Sequence, residues 1–293
     1  MSHKVAGIGS AGKRRYHLNM RLRLFALVLT AMAARAQDPY DLVRRSISQD
    51  QLDWVRMKDY TWLATGVEKR LDSHGQVQST KREAWETLML DGEPFRRTVE
   101  RDGKPLSSAE QRKEQEKLDK ETRKLSSESE ADKQRRMQEA EKRRRREFAF
   151  LSEIPEIFDL KFEGESTIDG RKVWIVSGAP RPGAKAKSSD AKMLLKVRGR
   201  MWIDQATYQW ARVDAETTGT ISWGLFLARL DPGAKMVFEQ AEVNSEAWFP
   251  KRLTMSGSGH IGLIKRLAQD TEIVWSNYRK FSVNSRIVIP PDR

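Results

Sequence analysis

The chain has 293 residues, with 54 Lys and Arg against 41 Asp and Glu, a formal charge of +13. Its hydrophobic share of 38% is enough for a core and excludes wholesale disorder, and its length fits one large domain or two ordinary ones. The absence of cysteine excludes disulfides, thiolate catalysis and cysteine-ligated metal centres, and no apolar run approaches the ~20 residues of a membrane-spanning helix.

A positive balance of this size suggests nucleic acid, so the charge has to be located. The first 36 residues hold seven Lys and Arg and no acid, which leaves the rest at +6. Arg21 and Arg23 precede the apolar stretch Leu24 to Ala34, and Ala34-Arg35-Ala36 is a small-x-small site. Those are the parts of a secretory signal peptide. The expectation is a signal over residues 1–36, with Met20 as a possible true start, cleavage after Ala36 and a periplasmic mature chain from residue 37 to 293. Gly7-Ile8-Gly9-Ser10-Ala11-Gly12 spells a dinucleotide-binding pattern, but no strand can precede it and an export signal follows, so nucleotide binding is not expected. With the charge assigned to export, neither is nucleic-acid binding.

The mature chain opens with a predicted helix from Pro39 to about Met57, in which Tyr40, Val43, Ile47 and Trp54 fall at helical spacing. Strand-like runs follow at Tyr60 to Lys69, Gln76 to Leu90 and Phe95 to Arg101, closed by the hairpin signals Asp91-Gly92 and Asp102-Gly103. Ser107 and Glu110 then form a capping-box pattern, and residues 107–147 are almost all Lys, Arg, Glu, Asp, Gln, Ser and Ala. The reading there is a long charged helical insertion.

Phe148 to Phe158 is apolar and short, and is expected to dock on the core. The rest reads as strands. Val173 to Val176 follows Asp169-Gly170, and another strand ends Met201-Trp202-Ile203-Asp204. Alternation from Tyr208 to Ala215 puts Trp210, Arg212 and Asp214 on one face. Gly219 to Leu230 reads as one long strand, apolar on both faces and so central, and three more runs end near Phe281. Close spacing and Asp/Gly turns indicate antiparallel pairing.

Four segments carry a resemblance: Gly199-Arg200-Met201-Trp202-Ile203-Asp204, Trp210 to Glu216, Trp248-Phe249-Pro250-Lys251-Arg252 and Tyr278-Arg279-Lys280-Phe281. In this order, behind an export signal, the chain resembles the periplasmic lipoprotein-carrier superfamily of LolA/LolB/RseB-like proteins, over roughly residues 157–282 and more weakly 39–100. The resemblance implies an α+β fold, mainly antiparallel β: an unclosed half-barrel of strands covered by helices, whose concave apolar face holds acyl chains or another hydrophobic partner. Residues 107–147 lie outside it, and no functional position transfers residue by residue.

The chain has nine tryptophans. Tryptophan suits sites that are apolar at one end and wet at the other. Cavity-lining candidates are therefore Trp62, Trp85, Trp202, Trp210 and Trp223, with Leu225, Phe226 and Leu227, under a cover of Phe148, Phe150, Leu151 and Ile154. His74 and His260 lie in predicted turns without metal-ligand spacing, so no metal or cofactor is expected. Ser256 and Ser258 with His260 form no nucleophile elbow, and Glu163 with Glu165 is a solvated pair, so no catalytic residue is assigned. The leading expectation is a monomeric, non-catalytic periplasmic carrier of a hydrophobic ligand or lipidated protein. The alternative is an envelope interaction or sensor protein that meets a partner protein or an anionic membrane surface through 107–147. A hydrolase of envelope material is the third.

Overall fold

The computed structural model describes residues 37–223, 228–261 and 265–281. The expected signal over 1–36 and the candidates Leu225, Phe226 and Leu227 lie outside these, as does the Trp223 side chain.

Helix α1 spans Pro39–Met57. One face carries Leu42, Val43, Ser46, Ile47, Asp50, Asp53 and Met57, all buried, and that face lies on the sheet. The strands are β1 Tyr60–Leu71, β2 Val77–Leu90, β3 Glu93–Arg101, β4 Lys104–Pro105, β5 Phe158–Ile168, β6 Arg171–Pro180, β7 Val197–Asp204, β8 Trp210–Thr217, β9 Ile221–Trp223, β10 Ala228–Leu230, β11 Lys235–Val243, β12 Ala247–Ile261 and β13 Lys265–Lys280. Among the described residues they form one antiparallel sheet of thirteen strands, in the order β4-β3-β2-β1-β13-β12-β11-β8-β7-β6-β5. β10 adds to β12, and β9 to β10. The two ends of that order do not pair, so the sheet is open, as the half-barrel reading expected.

The turns explain much of this order. Asp91-Gly92, Asp102-Gly103 and Asp169-Gly170 each have two successive residues at positive φ: 48° and 82°, 53° and 74°, 48° and 79°. That is the twist a two-residue hairpin loop needs, and Asp-Gly supplies it at low cost. The free side of β3 is handled differently. β4 covers only Glu100 and Arg101, and beyond it Glu114 accepts a hydrogen bond from the Thr98 amide at 3.2 Å, so a helix meets the rest of that edge.

That helix begins the charged insertion, which differs from the expected single helix. α2 runs Ser108–Ser126 and α3 runs Glu130–Ala149. Ser107 and Glu110 form the expected capping box, and a second cap at Ser129, accepting from the Asp132 amide, restarts the chain as α3. The insertion is also pinned. Arg136 donates to Asp91 at 2.6 Å and Glu128 at 2.9 Å, and Lys133 pairs with Asp91 at 2.9 Å. Burial raises the Asp91 carboxyl, but the bonds and charges of Lys133 and Arg136 outweigh it and hold the group below its usual range.

The long strand expected from Gly219 to Leu230 is instead a hairpin. β9 and β10 pair antiparallel, Ile221 opposite Leu230 and Trp223 opposite Ala228. Pro232 and Gly233 then turn the chain away. An apolar run without polar punctuation hides a reversal, because its composition is the same in both arms.

Candidate ligand cavity

Cross-strand register builds the concave floor. Leu160, Gly178, Gly199, Ala215, Met236 and Met255 stand opposite one another from β5 to β12 and share one face. The next row on that face is Val176, Met201, Val213, Phe238 and Leu253. The middle of the first row is small. A Cβ on Gly178 would lie 2.8 Å from Leu160 Cδ2, and one on Gly199 would lie 2.7 Å from the Asp214 carbonyl oxygen. The backbone contact bars a side chain at Gly199, and one at Gly178 would have to displace Leu160, so the floor stays low.

Over this floor lies a space of about 670 Å³. Its walls include Val176, Met201, Val213, Met236, Phe238 and Met255 from the sheet, with Met193 and Leu194 from the short helix α4 Ala191–Leu194. The chain leaving α3 closes one side with Phe150, Leu151 and Ile154. Ile154 and Ile157 bury against Leu42, Val43 and Ile47 of α1, which anchors that segment. Buried Glu153 holds its far side by accepting from the Lys187 amide at 2.7 Å and the Ser188 amide at 3.0 Å.

Among the described side chains, Trp210 is the tryptophan candidate that lines this space. The alternation predicted for its strand fails there. Trp202 pairs with Arg212 while Ile203 pairs with Trp210, so Ala211 is an extra, bulged residue. The bulge separates Trp210 from Arg212 and Asp214 and brings it to the cavity with Val213. Trp202 follows the cavity residue Met201 and points the other way, toward Val173, Ala211 and Trp248, with the Arg212 guanidinium 5.2 Å from its ring centre.

Trp62 and Trp85 belong to a separate cluster with Met57, Tyr60, Ala64, Ala247 and Phe249. The Trp85 ring lies against Gly66, with the Arg96 guanidinium 3.7 Å from its centre. Of the cover candidates, Phe150, Leu151 and Ile154 line the cavity, while Phe148 lines a smaller neighbouring space.

Four polar residues not singled out in the sequence, Asp50, Asp53, Gln209 and Gln240, fix α1 to the sheet beside the cavity. Asp50 Oδ1 accepts from Trp210 Nε1 at 2.8 Å and from Gln240 Nε2 at 3.0 Å. Asp53 accepts from Gln209 Nε2 at 2.8 Å, from the Trp248 amide at 2.7 Å and from Arg56 at 2.7 Å. Burial pushes the Asp50 carboxyl up to about 6, with nearby Asp53 adding to the rise and the two donors opposing it. The only sequence signal was a carboxylate at i and i+3 on the apolar face of a helix, where a partnered charge is required.

Two segments behind the resemblance have structural explanations. Asp204 is buried and takes a bidentate Arg171 at 2.7 and 3.0 Å, and it also accepts from the Ala206 and Thr207 amides. It thereby closes the β7–β8 turn. The Tyr278 hydroxyl donates to the Pro250 carbonyl at 2.7 Å, joining β13 to β12.

No family model and no curated protein matches the chain. Solved structures do. They include an outer membrane lipoprotein-sorting protein domain from Vibrio parahaemolyticus, at 12% identity and TM-score 0.34, covering 84% of this chain and 95% of that one. A DUF1329 family protein from Desulfovibrio piger has 15% identity and TM-score 0.34, covering 85% and 96%. A LolA superfamily protein from Nitrosomonas europaea has 6% identity and TM-score 0.32, covering 84% and 94%.

Proposed function

We propose that this chain is a non-catalytic binding or carrier protein of the periplasm that holds a lipid or acyl chain in the half-barrel. The supporting observation is the apolar space of about 670 Å³ between the concave sheet and the segment Phe150–Ile154. A space of that size, walled by aliphatic and aromatic side chains, is of the dimension that buries most of a lipid-sized ligand. Each CH₂ transferred there from water is worth about 0.8 kcal/mol, so a twelve-carbon chain has ample driving force without chemistry. Exchange requires the cover to move. Its attachments are the Ile154 and Ile157 contacts and the Glu153 hydrogen bonds.

The reading includes export. Residues 1–36 would be removed, and the first residue of the protein recovered from a periplasmic extract, read by N-terminal sequencing, would be Gln37. Among the described residues no helix is long and apolar enough to cross a membrane.

The test is direct. The purified protein is extracted with organic solvent for mass spectrometry and titrated with a fluorescent fatty acyl probe. Co-purified lipid, or saturable probe binding, is expected. Neither appearing would reject the proposal.

A further inference from the structure

We infer that the small space beside Asp50 and Gln240 receives a primary ammonium group, so that the amphiphile held here carries an amine at the head of its apolar chain. The inference rests on the large cavity being the site of that chain.

The space measures about 120 Å³ and is lined by Asp50, Asp53, Gln240, Phe148, Trp210 and Phe238, among others. Trp210 and Phe238 also line the large cavity, so the two spaces meet at these side chains. Gln240 is 8% exposed. Its Nε2 is used on Asp50, but its Oε1 is buried without a hydrogen-bond partner. Both donors to Asp50 end on Oδ1.

The charge is also unbalanced. Arg56 answers Asp53, whereas Asp50 is 3% exposed and makes no ion pair among the described residues. Among the described residues, the groups that bond Asp50 or line the space with it include Asp53 from its own helix, Trp210 from β8, Gln240 from β11, Phe148 from α3 and Trp248 and Phe249 from β12, and none is a cation. A vacant acceptor beside an uncompensated carboxylate calls for N–H donors and positive charge together. A primary ammonium has three donors and no acceptor. Water would satisfy Gln240 but leave the charge. A quaternary ammonium would balance the charge but leave Gln240 unpaired. Among the described residues no group of three or more His, Asp or Glu side chains is placed to hold a metal. Aromatic side chains on the remaining walls also favour a cation.

The experiment compares dodecylamine, dodecanol and dodecyltrimethylammonium by titration calorimetry on the purified protein at pH 7.5, each below its micelle concentration. Dodecylamine is expected to bind about tenfold more tightly than either of the others, the scale of one charge-assisted hydrogen bond. The advantage should largely disappear at pH 5, below the value of about 6 to which burial raises Asp50, and vanish in Asp50→Asn, while dodecanol binding persists. Gln240→Leu, a second variant, should reduce it in the same direction. A lipid headgroup as the source would show as dihexanoylphosphatidylethanolamine outcompeting dihexanoylphosphatidylcholine, and a free amine as dodecylamine alone showing preference. Equal binding of all three dodecyl compounds would overturn the ammonium site and leave the cavity standing. No binding of any would instead reject the chain-binding reading.

Discussion

The two wings of this sheet are built from the same antiparallel pairing and use their concave volume in opposite ways. On the wing of β1, β13 and the start of β12, rings fill it. Tyr60 meets Phe249 edge-on at 4.8 Å between centres, Phe249 meets Tyr278 at 5.2 Å, and Trp62 meets Tyr278 at 5.9 Å. On the wing of β6, β7 and β8, the corresponding floor is Gly178, Gly199 and Ala215, and the space above it stays open. Helix α1 spans the boundary. Leu42, Val43 and Ile47 join the core beside the open wing, Met57 joins the aromatic cluster, and Asp50 and Asp53 lie between. Side-chain volume, not strand topology, therefore decides which part of a curved sheet is core and which is container.

The strongest way to break this division is to hollow the filled wing. Phe249 is 1% exposed, and Phe249→Ala should cost about 3–5 kcal/mol in denaturant unfolding, since the rings around it cannot all collapse into the gap. Acyl-probe affinity in the folded fraction should stay within about twofold of wild type, because Phe249 lines the small space beside Asp50 and not the large cavity. A parallel loss of affinity would mean that the wings are one packing unit.

The boundary has its own signature. Asp50 titrates near 6 in the folded protein, above its ordinary 3.8. A raised folded value means that its contribution to stability is complete below the unfolded value and is lost as pH rises through about 6. The span corresponds to about 3 kcal/mol. Unliganded protein should therefore lose stability between pH 4 and 6.5, and Asp50→Asn should flatten that slope. Carboxyls held below their usual range, such as Asp204, act at lower pH and in the opposite sense. An unchanged slope in Asp50→Asn would rule out the helix–sheet contact as a buried charge.

Filling the open wing should reverse the pattern seen with Phe249. Ala215→Phe places a ring over the low floor. Stability should change by less than about 1 kcal/mol, because the space to receive the ring exists, while acyl-probe affinity falls about tenfold or more. Retained affinity with added stability would show that the cavity is not where the chain binds.

Much of this division was legible in the sequence, and its gaps have causes. Three Asp-Gly turns and the helix from Pro39 to Met57 follow from local chemistry that no distant contact overrides. The docking of the segment with Phe150, Leu151 and Ile154 was legible, because an apolar stretch behind some forty charged and polar residues has nowhere else to go. Large rings in strands read equally as cavity lining and as core, and Trp62 and Trp85 lie in the aromatic cluster of the β1 wing. The register of Trp210 depended on a bulge at Ala211, which no residue type announces. The β9–β10 reversal has no polar turn. Asp50, Asp53 and Gln240 are scattered over nearly two hundred residues and acquire meaning only when α1 meets β8, β11 and β12.

The gentlest test concerns the connection between the wings. Helix α3 grips the β2–β3 turn through Arg136 and Lys133, beside the filled wing, and runs on into Phe150 and Leu151, which close the open one. Arg136 is 20% exposed on its side chain and divides its bonds between Asp91 and Glu128. Partial exposure and screening hold such a pair to about 1 kcal/mol or less. Arg136→Ala should therefore lower stability by about that amount at low ionic strength and by less at high ionic strength. If α3 also steadies the cover, the same variant should release the acyl probe a few-fold faster in stopped-flow measurements, with salt acting on the wild type in the same direction. Faster release without salt dependence would place the effect in helix packing rather than charge. Unchanged release would show that the Ile154 and Ile157 contacts with α1 suffice to hold the cover.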